Sequence, residues 1–281
     1  MVSEIGKNLG SQVTRAVIMR SDVATNKDGR HVSYAVLMGQ PAVLVEADVM
    51  TAQVLKTYPL PHTSGAWSVM AAGDSVYLGC YNQGLLYRFH TKSEELVNLG
   101  PPFKTNDSVL YPTVEANGKI YGGSHTSGHG YELDPDTKKF RDLGQLTTST
   151  VRDKWIRVTT HDPKTNKLYF GVGNEPQLIE YDLASGNKRD ILPAQYADIT
   201  AVYDLVIEGG RAFCRKETNN PYENFVLDIA TGKTVPVTNA DTGETTNVFI
   251  NGSRGLSPKS PIANKLYYVS VDRQLCEYDL D

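Results

Sequence analysis

The sequence predicts an all-β protein built from one repeated four-stranded unit, and three observations support this prediction. The chain of 281 residues contains 24 Gly, 14 Pro and 16 Tyr, a composition typical of short strands joined by tight turns. Its apolar runs are short and lack sustained helical periodicity. Similar segments also return at intervals of about 45 residues, which is the period of a repeat architecture.

The repeat is clearest in the middle of the chain. Lys119–Gly144 and Lys167–Leu192 align without a gap, and both align in the same way with Ser75–Gly100. An aromatic residue occupies one fixed position of each copy, and weaker copies continue on both sides. These aromatic anchors are separated by 43, 44, 48, 44 and 54 residues, and they are Tyr34, Tyr77, Tyr121, Tyr169, Phe213 and Tyr267.

Each unit divides into four strands once the turn residues are marked. The pair Asn117-Gly118 predicts a two-residue hairpin, because both residue types tolerate positive φ. Asp182 and Asp228 each precede a glycine by four residues, so we interpret them as turn residues and not as ligands. In the second unit the predicted strands are Trp67–Ala72, Ser75–Tyr81, Leu85–His90 and Glu95–Leu99.

Four strands repeated about every 45 residues are the pattern of a β-propeller blade. The sequence therefore predicts a single β-propeller over residues 1–281, with six four-stranded blades as the first choice and seven as the alternative. The sixth unit ends at Tyr278–Asp281 without a fourth strand, whereas Glu4–Gly10 resembles the fourth strand Glu95–Gly100. We predict that an N-terminal strand closes the last blade, because closure removes an open sheet edge.

These repeats resemble the broad β-propeller superfamily, which includes WD-repeat, kelch, quinoprotein-like and polysaccharide-lyase propellers. The resemblance covers nearly the whole chain, and its pattern is visible in Leu168–Gly171 (LYFG), Leu178–Asp182 (LIEYD) and Asp142–Gly144 (DLG). The Gly-His and Trp-Asp signature of WD repeats is absent. The resemblance implies that first strands line a central channel. It also implies that the fourth-to-first and second-to-third loops form one rim that binds ligands.

The predicted rim is rich in Arg, Lys, His and aromatic side chains, although the formal net charge of the chain is −4. Aromatic rings can stack on a sugar ring, and an arginine fork matches a carboxylate. We therefore expect a carbohydrate-directed protein whose rim binds an anionic or polar glycan or another small molecule. The residues expected to bind it are His62, Trp67, His129, Arg152, Trp155, Lys216 and Arg254.

The resemblance to polysaccharide-lyase propellers implies a sharper hypothesis, in which the protein cleaves a uronate by β-elimination. Arg157 or Arg215 would neutralise the uronate carboxylate. His125, which the repeat places in a second-to-third loop, would abstract the proton. Tyr81 or Tyr111 would protonate the leaving oxygen. The alternative is a non-catalytic propeller that binds a protein or peptide partner on the same rim.

Composition and motifs disfavour several other classes. An acidic chain is poorly suited to a polyanion, so no nucleic-acid partner is expected. No apolar run approaches the ~18 residues of a membrane span, and the polar start Met1–Glu4 is unlike a secretory signal. Cys80, Cys214 and Cys276 are too scattered for a metal cluster or a disulfide framework, and we interpret them as small apolar residues within strands. We expect a soluble monomer without metal or cofactor, either cytoplasmic or secreted with its signal removed.

Overall fold

A computed structural model describes residues 18–104, 107, 109–110, 114–148, 150–216, 222–251 and 255–281. Within these residues every regular element is a β-strand, except for one 3-10 turn at Ala194–Tyr196. The described part of the chain contains no helix long and apolar enough to cross a membrane. The all-β prediction is therefore confirmed. The predicted N-terminal strand Glu4–Gly10 lies outside the described residues.

The first two sheets are antiparallel meanders whose strands follow chain order. Sheet one contains β1 (Ile18–Thr25), β2 (His31–Leu37), β3 (Ala42–Asp48) and β4 (Val54–Leu60). Sheet two contains β5 (Ala66–Ala72), β6 (Ser75–Cys80), β7 (Leu86–His90) and β8 (Leu96–Gly100). The predicted strands of the second unit are confirmed to within one residue at each end.

The third and fourth units join into one larger sheet. The third contains β9 (Val109–Leu110), β10 (Val114–Ala116), β11 (Lys119–Thr126), β12 (His129–Asp134) and β13 (Lys139–Gln145). The fourth contains β14 (Lys154–Asp162), β15 (Lys167–Gly173), β16 (Gln177–Asp182) and β17 (Lys188–Asp190). They join because β11 continues beyond its pairing with β12, which places His125 opposite Trp155 of β14.

The fifth unit contains β18 (Val202–Glu208), β19 (Arg211–Lys216), β20 (Tyr222–Asp228) and β21 (Lys233–Val235). The long interval of 54 residues holds a short hairpin, β22 (Val237–Thr238) and β23 (Thr245–Thr246), and then β24 (Phe249–Asn251), which pairs with β20. The sixth unit contains β25 (Lys265–Val269) and β26 (Leu275–Asp279). Ser257 and Ser260 donate backbone N–H groups to β25 at Tyr267 and Lys265, so the segment 255–260 lies along its inner edge.

The turns have the chemistry that the sequence predicts. Asn117 and Gly118 adopt φ of 52° and 73°, and Ala116 pairs with Lys119 across the two-residue hairpin. The carboxylate of Asp182 accepts the N–H of Ser185, and that of Asp228 accepts the N–H of Thr231. Both aspartates are therefore turn residues, as predicted.

The hydrophobic core lies between successive sheets. The aromatic anchors lie on β2, β6, β11, β15, β19 and β25, and those of the first five units are buried. First strands of neighbouring units are in contact, as β5 is with β1 and β18 is with β14. Cys80 and Cys214 are buried free thiols in β6 and β19, which confirms their apolar role.

A β-bulge recurs near the start of the first strand in four of the described units. Each first strand shifts register by one residue relative to its second strand, and the shift includes Trp67 in β5, Arg157 in β14 and Tyr203 in β18. In β1 the same shift falls between Ile18 and Ser21. A bulge re-aims a side chain out of the regular alternation of the strand. The bulges therefore re-aim one side chain in each of several neighbouring sheets, at corresponding positions of their first strands.

Candidate functional site

Arg157 lies at the centre of a cluster of aromatic rings. Its guanidinium carbon is 4.9 Å from the ring centroid of Trp67, 5.2 Å from that of Trp155 and 3.9 Å from that of Tyr203. The guanidinium also donates a hydrogen bond to the hydroxyl of Tyr203. Arg157 is 9% exposed, whereas the three rings are half-buried. The cation is thus covered by rings that themselves reach the surface.

Tyr203 contacts two cations. The guanidinium carbon of Arg215 is 3.8 Å from the centroid of its ring, and that of Arg157 is 3.9 Å from it. Both guanidinium groups are therefore in contact with the ring. Attraction to the ring quadrupole stabilises each cation. We call Trp67, Trp155, Arg157, Tyr203 and Arg215 the aromatic–arginine cluster.

An acidic group accompanies the cluster. Asp204 is the register partner of Arg215 across β18 and β19, and its carboxylate is 3.6 Å from the guanidinium of Arg20. Burial raises the pKa of Asp204 above its ordinary value, and the positive charges of Arg20 and Arg215 oppose this rise only in part. Gly255 packs so closely that an added Cβ would lie 1.8 Å from the carboxylate. Asp204 therefore sits in a tight and poorly solvated position.

His125 lies beside the cluster. Its ring makes an edge contact with Trp155 at a centroid distance of 6.4 Å, and its Nε2 pairs with the carboxylate of Asp153. Asn174 holds Asp153 by donating its Nδ2 to the backbone oxygen and to the carboxylate, at 2.9 Å and 3.2 Å. Sequence reasoning placed His125 in a loop, but it belongs to β11. Such an arrangement orients an imidazole for proton transfer.

Tyr81 lies on the other side of Trp67. The two ring centroids are 6.2 Å apart, and the Tyr81 hydroxyl donates a hydrogen bond to the backbone oxygen of Ser64 at 3.4 Å. Gly65 makes this packing possible, because a Cβ there would lie 2.0 Å from the Tyr81 oxygen. Burial raises the pKa of Tyr81. The predicted residues Tyr81, Trp67, Trp155, Arg157 and His125 are therefore connected by direct contacts.

Other predicted residues lie outside this set of contacts. His129 pairs with Asp142 on β13 through its Nδ1 at 3.1 Å, and Lys216 pairs with Glu223. His62 and Arg152 are exposed loop residues. Asp153, the neighbour of Arg152 in the chain, pairs with His125. Tyr111 and Arg254 lie outside the described residues.

Sequence reasoning missed Tyr203 and Asp204. Trp67 and Tyr203 each precede the aromatic anchor of their unit by ten residues, so an alignment of the first strands would have paired them. The signal was weak because the first strands are the least similar part of the repeat. The described residues contain no group of three or more His, Cys, Asp or Glu side chains that could hold a metal ion.

Comparison with solved structures supports a β-propeller fold. The chain is similar to the extracellular domain of the putative one component system BT4673 from B. thetaiotaomicron, with a TM-score of 0.63 and 14% identity over 93% of this chain. This chain spans only 32% of that protein. It is also similar to the RRP9 WD40 repeats (TM-score 0.60, 8% identity, 94% of this chain and 82% of that one).

A chain of the mitotic checkpoint complex is similar as well, with a TM-score of 0.64 and 13% identity over 100% of this chain and 86% of that one. At such low identity these likenesses concern the fold alone. No family model and no curated protein matches the sequence.

Proposed function

We propose that this protein binds a carboxylate-bearing glycan at the aromatic–arginine cluster. The observation that carries the proposal is the convergence of two guanidinium groups and three rings from separate strands on one small region. The half-buried rings of Trp67 and Trp155 offer faces to a sugar, and the buried guanidinium of Arg157 beside them offers positive charge. A neutral sugar uses only the first of these features, whereas a uronate uses both.

The electrostatics favour an anionic ligand. The cluster contains two cations, Arg157 and Arg215, and the neighbouring Asp204 is paired with Arg20, so positive charge predominates at the cluster. Arg157 and Arg215 are 9% and 2% exposed, and water screens charges at such positions weakly. A carboxylate arriving at the cluster therefore gains more than it would at an exposed arginine.

The test compares uronate oligosaccharides with the same oligosaccharides after reduction of their carboxylates to alcohols. Isothermal titration calorimetry should show binding of the uronate form, and Arg157→Gln should weaken it ~10-fold to 100-fold, as expected for loss of a charge-assisted contact. Arg141→Gln is the matched control, because Arg141 is an exposed arginine on the outer strand β13. Equal binding of both forms, or equal effects of both substitutions, would overturn the proposal.

Lyase chemistry is the second candidate, and the pairing of His125 with Asp153 favours it. Asp153 fixes the orientation of the imidazole next to Trp155, as a general base requires. With uronate polymers, we expect a rise in ultraviolet absorbance from the unsaturated product, and His125→Ala should abolish it while binding persists. Binding without any product would leave a non-catalytic glycan-binding propeller.

Capture of a protein or peptide partner is the remaining alternative for the same surface. Trp67→Ala and Trp155→Ala should weaken uronate binding if the rings stack on sugar. Absence of binding by every uronate tested, together with a peptide ligand whose affinity falls in both variants, would favour the alternative.

We also propose that six units form one closed ring, with the segment around Glu4–Gly10 as the fourth strand of the sixth unit. Three facts support this. The pair Arg20–Asp204 joins the first strands of units one and five. The segment 255–260 lies along β25. Leu275 of β26 is 74% exposed in the described part of the chain, as expected for an edge strand that lacks a neighbouring strand among the described residues.

Hydrogen exchange tests the closure. Alternate amides of β26 face away from β25, and they exchange slowly only if another strand accepts them. We expect slow exchange for these amides in the full chain and fast exchange after deletion of residues 1–12. Identical exchange in both proteins would exclude this closure.

A further inference from the structure

A pocket of about 500 Å³ lies next to the aromatic–arginine cluster but uses different residues. β14 and β18 both pass from the cluster into its wall, because Val158 and Asp204 directly follow Arg157 and Tyr203. The segment 255–259 and Arg20 complete the wall. We call this space the inner pocket. Its volume lies within the range of about 300–1,000 Å³ that is typical of small-molecule sites.

The charges of the inner pocket are balanced. Asp204 pairs with Arg20 at 3.6 Å, and the carboxylate of Glu208 pairs with the Nζ of Lys259 at 3.2 Å. Each cation that lines the pocket thus has a carboxylate beside it. This arrangement gives no net attraction for an anion, in contrast to the aromatic–arginine cluster. It provides strong donors and strong acceptors side by side.

The wall also contains polar groups with spare hydrogen-bonding capacity. Within the described residues, the Thr159 hydroxyl and the His161 Nε2 have no hydrogen-bond partner, and Thr159 is 5% exposed. Rotation of Thr159 by one staggered well moves its hydroxyl into the position of either the methyl or the Cβ hydrogen, and so changes the direction in which it can donate. A buried polar group without a partner is unfavourable, so a ligand that supplies one gains free energy.

Strand edges add further polar groups. Among the described residues, β14 beyond Trp155 and the whole of β18 pair along one edge only. Their inner edges therefore present alternating backbone N–H and C=O groups towards the pocket. Apolar contact comes from Val158, Ile207 and Leu256. Alternating donors and acceptors over a partly apolar wall match a molecule that carries several hydroxyl groups.

We propose that the inner pocket is a second binding site, which takes a neutral polyhydroxylated small molecule of the size of a mono- or disaccharide. It is separate from the uronate site in both residues and charge preference. Hydroxyl groups of the ligand donate to Asp204 and Glu208 and accept from Arg20 and Lys259.

Calorimetric titration with neutral mono- and disaccharides, at up to about 10 mM, tests the proposal. Glucose, galactose, xylose and maltose are the probes, while glycine, succinate and inorganic phosphate represent zwitterions and anions. We expect at least one neutral sugar to bind. Thr160→Trp, which fills the pocket from β14, should abolish that binding. Glu208→Gln should weaken it ~10-fold, as expected for loss of a charge-assisted hydrogen bond.

Thr159→Val is a second variant, which separates loss of sugar binding from loss of folding. This substitution keeps the side-chain shape and removes a hydroxyl that has no partner among the described residues, so the midpoint of thermal unfolding should stay or rise. Sugar affinity should nevertheless fall about 5-fold to 10-fold. Trp67→Ala is the control for the aromatic–arginine cluster, and it should leave neutral-sugar binding unchanged.

Three results would overturn the proposal: no neutral sugar binds, only the zwitterion or the anions bind, or Thr160→Trp leaves neutral-sugar binding intact while the protein folds. Loss of neutral-sugar binding in Trp67→Ala would assign the binding to the cluster and would also overturn it. Failure of uronate binding alone concerns the other site, so the two proposals fail separately.

Discussion

Replacement of Tyr203 by leucine should destabilise the protein through the loss of two cation–ring contacts at once. The guanidinium carbons of Arg157 and Arg215 lie 3.9 Å and 3.8 Å from the Tyr203 centroid. A poorly solvated cation–ring contact contributes ~1–2 kcal/mol, so the two together contribute ~2–4 kcal/mol. These two distances place the guanidinium carbons at most about 8 Å apart, where their repulsion is at least about 2 kcal/mol at an effective dielectric constant of about 20. Loss of the Tyr203 ring removes both of these attractions and leaves the repulsion in place.

Urea unfolding followed by tryptophan fluorescence measures the effect. We expect Tyr203→Leu to lower the free energy of unfolding by ~3–4 kcal/mol, and Tyr203→Phe, which keeps both ring contacts, to lower it by ~1–1.5 kcal/mol. Tyr267→Leu is the matched control, because Tyr267 is also half-buried and the described residues place no cation over its ring. A double-mutant cycle between Tyr203→Leu and Arg215→Met should give a coupling of ~1–2 kcal/mol. A coupling below about 0.3 kcal/mol, the usual error of additivity, would refute the stacking account.

Three further outcomes are expected. Gly123→Ala should lower the free energy of unfolding by ~3 kcal/mol or prevent folding, because its Cβ would lie 2.1 Å from the Ile156 Cβ where β11 meets β14. Gly118→Ala should lower it by only ~1–2 kcal/mol in the same urea assay, because Gly118 has open space around it and the cost comes from its φ of 73°. Burial opposes ionisation of Glu180, but hydrogen bonds from Arg189 and Lys167 outweigh it and hold its pKa below the ordinary value. The stability that Glu180 contributes is therefore present above about pH 4.5 and is lost as pH falls through its lower folded pKa. The free energy of unfolding of Glu180→Gln, measured in urea, should depend less on pH between about 5 and 3 than that of the parent protein. An equal pH dependence in both proteins would contradict this. Burial raises the pKa of Cys80 to about 12, so a thiol reagent should label Cys276 in the folded protein and Cys80 only after unfolding. Rapid labelling of Cys80 in native buffer would contradict this prediction.

Much of the fold was predictable because its signals are local. The strands of the second unit follow from turn residues and from short apolar runs, and the structure reproduces them to within one residue. The hairpin at Asn117-Gly118 follows from the tolerance of these two residues for positive φ. The aromatic anchors were recognisable because every unit carries a large ring at the same position of the repeat.

The errors occurred where distant segments meet. Sequence reasoning placed His125 in a loop because the repeat aligns it with the end of a second strand. In the structure β11 continues, because β14 offers an edge for it to pair with. Sequence similarity between the repeats contains no information on that pairing. The same holds for β24, which joins β20 of the preceding unit.

The candidate site depends both on residue type and on tertiary structure. Residue type by itself singled out Trp67, Trp155, Arg157 and Arg215, because rings and guanidinium groups have few other uses on a predicted rim. The contact of Tyr203 with two arginines was decided only by the tertiary structure. This contact requires β-bulges at corresponding positions of separate first strands. The position of a bulge is set by how a strand pairs with its neighbour, which the sequence of the strand did not reveal.

The sequence by itself determined the repeated unit, its turns and the kind of chemistry that its rim can offer, since each of these depends on interactions within about 45 residues. Only the tertiary structure decided which side chains meet. Strands far apart in the chain come together when sheets pack face to face, and the balance of charge at each pocket follows from that packing. A single sequence therefore predicted a cationic, aromatic surface, whereas the inner pocket with its paired charges became visible only in the folded chain.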